Sequence, residues 1–324
     1  MSTLTHRPLP TRPTIGVDVG GTKIAAGLVD GEGTILATVR RPTPARDTAE
    51  VVDTIAELVA ELSEGQDVEA VGIGAAGFID SARSTVLFAP NLAWRDEPLK
   101  LKVEQRCGLP VVVENDANAA AWGEFRFGAA QEASSAVVIT VGTGIGGGVI
   151  LDNQLVRGDH GIAAEIGHIK VDRGGRRCGC GQRGCLESYC SGRALLREAR
   201  EIARTSPHDA ARLLELAGGS AEKITGLHVT RAAEEGDPAA LECFGQVGWW
   251  LGNGMADLAA VLDPAMFVLA GGVSEAGDLL LAPAQAAFKA TLSAADFRPV
   301  ADVRLATLGN DAGIIGAADL ARTR

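Results

Sequence analysis

Two stretches of this chain repeat one order of apolar and turn-forming positions. The first reads "TIGVDVGGTKIAAGLVDGEGTILATVR" and the second "AVVITVGTGIGGGVILDNQLVRG". In each, an apolar run meets a glycine-rich turn, a second apolar run, an Asp30-Gly31 or Asp152-Asn153 turn, and a third run. Short β runs punctuated by turn residues are the signature of hairpins, so each half is expected to open with three strands. The repetition suggests a duplicated fold, with a chance echo of short runs as the alternative. Between and after these stretches the period changes. Val51, Val52, Ile55, Leu58, Val59 and Leu62 recur at helical spacing and predict an amphipathic helix over 48–63. "VEAVGIGAAGFID" reads as a buried strand entering a turn, and "PVVVENDANAAAWGE" as a strand, a polar corner and an alanine-rich helix. Residues 192–216 and 229–262 read as largely helical. "AMFVLAGGV" is a strand with a Gly-Gly turn, followed by a helix through Ala290, and "GNDAGIIGAADLAR" predicts a closing helix. Alternating strands and helices imply layered α/β architecture, with a cleft between two related domains as the natural active site.

Composition narrows the partners. The chain has 324 residues, 46% of them apolar, which suffices for two domains. Aromatic residues are scarce at 4%, whereas the 41 glycines announce tight turns or close backbone approaches. A net charge of -11 argues against a nucleic-acid backbone as partner but not against a nucleotide, which needs only a local nest of N–H groups. The first fourteen residues hold no leader-like apolar run, and no membrane span is visible. Six cysteines in a chain of this length do not make a disulfide scaffold, so a cytoplasmic protein is expected.

The glycine turns fit neither common phosphate fingerprint. Gly142, Gly144 and Gly147 match GxGxxG, but a strand rather than a helix follows. Gly16 and Gly21 have Walker A spacing, yet Thr22 stands where the lysine belongs. What remains is a pair of hairpin turns that either cradle phosphates with bare N–H groups or merely reverse the chain. Asp18 is a carboxylate inside an apolar strand; it holds a Mg²⁺ through water or is satisfied by turn amides. Lys23 reads as surface rather than phosphate ligand.

Cys178, Cys180 and Cys185, with His168 ten residues upstream, have the donor set of a closed tetrahedral zinc site. Reduced surface thiols or a redox pair are the alternatives. Zinc would staple the loop 168–187 and leave the second ring nitrogen of His168 to face a substrate hydroxyl. Glu165, three residues from His168, and Glu187 complete an acceptor-rich patch suited to a neutral polyhydroxylated ligand. Asn115 and Asp116 sit at a strand-to-helix corner, where Asp116 is either a helix cap or a general base whose pKa the helix N-terminus would lower. His160 and His208 read as surface residues, Trp249 and Trp250 as core, and Cys107, Cys190 and Cys243 as buried small side chains.

"DVGGTKIAAGLVD", "ENDANAAAWGE", "VGTGIGGGVI", "EIGH", "CGCGQRGCLE" and "AGGV" occur in the order found in the ROK family of sugar kinases and repressors, which the chain resembles. The resemblance is greatest to the family's bacterial glucokinases. It implies an actin-like, ribonuclease H-like pair of α/β domains: residues 1–118 joined by a closing helix at 310–324, and residues 119–309 carrying the zinc loop. It implies that ATP phosphates lie against Gly20, Gly21, Thr22 and Lys23 and against Gly142, Thr143 and Gly144, with Asp18 serving Mg²⁺ and Gly271 and Gly272 near the adenosine. It assigns sugar contacts to Gly77, Asn115, Asp116, Glu165, His168 and Glu187, the base to Asp116, and zinc to His168, Cys178, Cys180 and Cys185. The implied reaction is ATP-dependent phosphorylation of glucose. Mannose, fructose or an N-acetylhexosamine is the alternative substrate, polyphosphate a less favoured donor, and a homodimer or homotetramer the expected assembly. A ROK repressor is disfavoured because fourteen residues before the first strand leave no room for a DNA-reading domain.

Overall fold

The computed structural model describes residues 12–90 and 92–323. Most of the segment before the first strand, in which no leader was recognised, lies outside those residues. The elements run β1 (Thr14–Val19), β2 (Lys23–Val29), β3 (Ile35–Pro42), α1 (Thr48–Ser63), β4 (Val71–Ala75), β5 (Phe78–Ile79), β6 (Val86–Phe88), β7 (Arg95–Glu97), α2 (Leu99–Cys107), β8 (Val111–Asn115) and α3 (Asp116–Phe127). There follow β9 (Ala136–Val141), β10 (Ile145–Leu151), β11 (Gln154–Leu155), α4 (Glu187–Cys190), α5 (Gly192–Thr205), α6 (Ala211–Leu216), α7 (Gly226–Glu234) and α8 (Pro238–Leu262). The chain closes with β12 (Met266–Ala270), α9 (Asp278–Thr291), β13 (Asp302–Leu305) and α10 (Ala312–Leu320). The three-strand openings of both halves and the helix over 48–63 are present as expected.

The chain divides into two units. The first comprises residues 1–131, 155–163 and 310–324; the second comprises 132–154 and 164–309. Each is built on a five-stranded sheet, ordered β3-β2-β1-β4-β8 in the first and β11-β10-β9-β12-β13 in the second. The orders are equivalent strand for strand. In both, the hairpin after the glycine turn is antiparallel, and the next two strands join in parallel. A duplicated α/β fold accounts for this match.

In the first unit α1 and α2 cover one face of the sheet, with Ile55, Leu58, Ile73, Trp94 and Leu99 all fully buried. α10 lies against β1, β4 and α3 at backbone distance. A Cβ on Gly16 would sit 1.8 Å from the Ile314 carbonyl oxygen, and one on Gly72 would sit 1.8 Å from that of Ala317. Gly316 meets the Ala119 carbonyl of α3 equally closely. Much of the chain's glycine thus serves helix packing as well as turns. The tight seam between α3 and α10 also explains why the first unit runs through Gln131 rather than ending at 118: a boundary there would cut α3 from its partner.

Three features escaped the sequence pattern. A small sheet, β5-β6-β7, follows the strand β4. α2 and β13 are short and carry alternating charge, which hid them. Trp249 is 48% exposed, against the expectation of a core residue, while Trp250 packs on Tyr189 with ring centroids 4.3 Å apart. Cys190 and Cys243 are buried, Cys107 half-buried, and all six cysteines are free. Among the described residues no helix is long and apolar enough to cross a membrane.

Candidate active site

In the first unit the site residues collect at the carboxyl ends of three adjacent parallel strands. Val19 pairs with Ala75, and Ala75 with Asn115, so β1, β4 and β8 end level with one another. Open α/β sheets bind ligands at such an edge. The turn Gly20–Thr22 leaves β1 there, closed by Gly20 N–H donating to the Lys23 carbonyl at 3.1 Å. Lys23 is exposed. Gly77 follows β4, and its carbonyl accepts from Asn115 Nδ2 at 3.1 Å. A side chain on Gly77 would strike the Phe88 carbonyl at 2.4 Å, so glycine is required there.

The cap of α3 is Asn115, whose Oδ1 accepts from Asn118 N–H at 3.0 Å. This frees Asp116 from capping duty, and among the described residues its carboxylate accepts from its neighbours, including Ala117 N–H at 2.9 Å. The sequence-based expectation was a lowered pKa. The structure corrects it: burial raises the Asp116 carboxyl above its ordinary value, against smaller opposing contributions from the Ala117 and Asp116 N–H groups and the Asn115 side chain. Asp18 is raised to about 6, first by burial and then by the Asp116 charge, with Lys23 opposing. Two half-buried carboxylates that repel each other form a site that a divalent cation would relieve, so the residues fit Mg²⁺ at Asp18.

Behind this pair lies a network that the sequence reading missed. Glu114, 1% exposed at its side chain, faces Arg157 at 2.7 Å and Arg83 at 3.3 Å. Its Oε1 accepts from Asn115 N–H at 2.9 Å and from Asn118 Nδ2 at 3.1 Å. Arg157 also donates to the Asp80 and Ser81 carbonyls, both at 2.9 Å. The network thereby clamps the first turn of α3, which carries Asn115 and Asp116. A charge in the otherwise apolar run "VVVEN" was its only advance sign.

In the second unit His168, Cys178, Cys180 and Cys185 bring their ligand atoms within 4.8 Å of one another. Cys180 Sγ and Cys185 Sγ are 3.7 Å apart, and His168 Nδ1 lies 3.6 Å from Cys178 Sγ. Tetrahedral zinc with bonds of about 2.3 Å to sulfur spaces its thiolates by about 3.8 Å, so the cluster fits the metal. Burial pushes the Cys178 thiol up to about 12, a cost that coordination of the thiolate removes. The ring's other nitrogen, His168 Nε2, faces Glu165 Oε2 at 3.8 Å across the 3₁₀ turn Ile166–His168. The shared face expected for Glu165 and His168 is therefore present.

Glu187 joins this cluster to the second glycine turn. Its Oε2 accepts from Ile145 N–H at 3.2 Å, and its Oε1 lies 3.4 Å from Cys178 Sγ. The turn Gly142–Gly144 is closed by Gly142 N–H donating to the Gly144 carbonyl at 3.0 Å. No atom stands within 4 Å of where a Gly142 side chain would be, so the turn's backbone is open to a ligand. Gly271, at φ +87°, packs against Val141 immediately before that turn, and Gly272 is unobstructed. α5 starts beside them, with Gly192 N–H on the Gly142 carbonyl at 2.8 Å. Arg193, unnoticed in the sequence, donates Nε to the Thr143 carbonyl at 3.0 Å and lies 3.6 Å from Glu187. Gly142, Thr143, Gly144, Gly271, Gly272 and Glu187 are thus brought together within this unit.

A model of the ROK family matches residues 14–324. Glucokinase of Streptomyces coelicolor is 53% identical over 309 residues, covering 95% of this chain and 97% of that protein. N-acetylmannosamine kinase of Escherichia coli is 35% identical over 317 residues, covering 95% of this chain and 98% of that protein. Among solved structures, a ROK family glucokinase from Streptomyces griseus in complex with glucose and AMPPNP is 56% identical, with a TM-score of 0.88 over 96% of this chain and 100% of that one. The extent of these matches, together with the paired sheets and the residues gathered at their ends, places this chain in the ROK family with its actin-like α/β fold.

Proposed function

We propose that this chain is an ATP-dependent glucokinase, converting glucose and ATP to glucose 6-phosphate and ADP. The observation that carries the reading is its 56% identity and matching fold to a glucokinase that holds glucose and AMPPNP. The geometry within each unit supports it, and the family pattern assigns the roles across the two. Asn115 and Asp116 orient the sugar, with Glu165, His168 and Glu187 as further hydroxyl acceptors. The 6-hydroxyl oxygen attacks the γ-phosphorus; the new O–P bond forms as the bond to the β–γ bridging oxygen breaks, and ADP leaves. The hydroxyl proton passes to the Asp116 carboxylate, whose raised pKa suits it as a base better than an ordinary carboxylate. Gly20–Thr22 and Gly142–Gly144 offer N–H groups to the phosphates. Arg193, anchored on the Thr143 carbonyl, adds a guanidinium beside the second turn. Mg²⁺, held through Asp18, would neutralise phosphate charge. Zinc on His168, Cys178, Cys180 and Cys185 would be structural, with no open coordination position. A homodimer or homotetramer working in the first steps of glucose catabolism completes the proposal.

The 35% identity to an N-acetylmannosamine kinase favours one second reading, the same chemistry on another hexose. A coupled assay with ATP, Mg²⁺ and zinc-loaded protein across glucose, mannose, fructose and N-acetylmannosamine decides between them, with polyphosphate as an alternative donor. Glucose is expected to give a kcat/KM at least about tenfold above the others, the scale of one good contact. A higher value on another sugar selects the second reading, and no turnover on any sugar rejects both. Asp116→Asn is expected to lower kcat by about 10²–10⁴-fold with glucose binding retained, as read by calorimetry; near-normal turnover would remove Asp116 as base.

A further inference from the structure

Apart from the residues assigned to sugar, nucleotide and zinc, the second unit holds a half-open cavity of about 190 Å³ lined by Arg176, Tyr189, Arg197, Glu198, Gln246 and Trp250. Its walls are held in place. Trp250 lies against Tyr189, and the Arg176 guanidinium lies 5.9 Å from the centroid of the Tyr189 ring. The Tyr189 hydroxyl accepts from Arg176 N–H at 2.7 Å and donates to Asp172 Oδ2 at 2.7 Å. Arg197 Nη2 donates to the Ser188 carbonyl at 2.7 Å, but its Nε is buried without an acceptor.

Charges of both signs line this cavity, but the two guanidiniums are loosely held. Glu198 meets Arg176 only at 3.8 Å, and Arg197 forms no ion pair among the described residues. Burial, followed by the charge of Arg176, weakens the hold of Arg197 on its proton, with Glu198, Glu201 and Tyr189 opposing. Two guanidiniums that repel each other in a partly enclosed space are stabilised by an anion between them. Guanidinium forks match phosphate oxygens through paired N–H bonds. The nearby Glu198 carboxylate repels any anion, so a ligand gains enough to bind only if several of its oxygens engage both guanidiniums, which a phosphate offers and a monocarboxylate does not. A phosphomonoester carries nearly two charges at neutral pH. We propose that this cavity is a second anion site, binding a dianionic phosphate group between Arg176 and Arg197 with any attached organic ring against Trp250.

Occupancy would be felt at the proposed sugar contacts of the same unit. Arg176 lies two residues before Cys178 in the zinc loop. Tyr189 and Ser188 belong to α4, whose first residue is Glu187. An anion drawing Arg176 and Arg197 together therefore acts on both flanks of the Glu187–Cys178 contact. A sugar phosphate bound here would regulate a sugar kinase according to the level of its products.

The test uses full-length zinc-loaded protein with glucose and AMPPNP present to occupy the proposed catalytic residues. Glucose 6-phosphate, inorganic phosphate and acetate are titrated separately and followed by calorimetry and tryptophan fluorescence. One equivalent of glucose 6-phosphate or inorganic phosphate is expected to bind with a dissociation constant below about 1 mM, while acetate is silent. Binding of both phosphates identifies the phosphate group as the recognised element; binding of glucose 6-phosphate alone adds the sugar. Arg197→Met and Arg176→Met should each weaken binding at least tenfold with zinc content unchanged. Arg197→Lys, which keeps the charge but loses the fork, should fall between. Absence of saturable binding, or binding undiminished in Arg197→Met, overturns the proposal. Binding is read without turnover, so its failure leaves the glucokinase reading standing.

Discussion

Asp18, the proposed Mg²⁺ residue, opposes the stability of its own ligand-free fold. Its carboxyl is shifted from 3.8 to about 6, so the folded state favours the protonated form. For a group raised in this way, the favourable contribution is complete below 3.8 and is lost as pH rises through about 6. Above that range the ionised group costs the ligand-free fold up to about 3 kcal/mol. Asp18→Asn is therefore expected to raise the melting temperature at pH 7.5, with the advantage gone below pH 4, while impairing use of Mg·ATP. Calorimetric melting curves across pH check the sign. Glu114 presents the opposite case, since its charge is answered by Arg83 and Arg157. Glu114→Gln leaves two guanidiniums without their carboxylate and should destabilise by about 3–5 kcal/mol in urea unfolding. It should also lower kcat by loosening the first turn of α3, an effect that a purely structural change far from Asp116 would not produce.

At the scale of elements, the loop that gathers His168, Cys178, Cys180 and Cys185, the proposed zinc ligands, was the most legible part of the chain. Its ligands lie within eighteen residues, and local spacing alone states the donor set. Cys180→Ser, or chelation, is expected to take zinc from one equivalent to near zero and to raise KM for glucose at least about tenfold, because Glu165, His168 and Glu187 share that loop. Metal analysis beside kinetics checks this; zinc loss with unchanged KM would separate the metal from the sugar residues. The strand-to-helix corner at Asn115–Asp116 was equally legible, but the roles within it were not. Which residue caps α3 depends on Gly77 and Asn118, and the direction of the Asp116 shift depends on burial that no local window reveals. The partners of Glu114 are 31 and 43 positions away in sequence, which is why the network went unseen although its central charge was visible. β5, β6, β7 and β13 span only two to four residues, too few for a periodic signal.

For the whole molecule, the two sheets of equivalent order mean that each unit needs its own closing elements. In the first unit one of these is the last helix, α10, packed at backbone distance on β1, β4 and α3. Truncation after Gly309 should expose that face, lower solubility and abolish cooperative unfolding of the first unit, while zinc binding in the second persists; circular dichroism and metal content on the truncated chain test this. The amino-acid sequence by itself determined the hairpin repeats, the helix periods, the cysteine-histidine cluster and the family pattern, because each is encoded within a few turns of chain or in the order of short motifs. Tertiary structure alone decided the extent of the first unit, the burial that sets the acidity of Asp18 and Asp116, the ion network under α3 and the two-arginine cavity. Those properties arise where distant segments exclude water together, and no local stretch of residues contains that information.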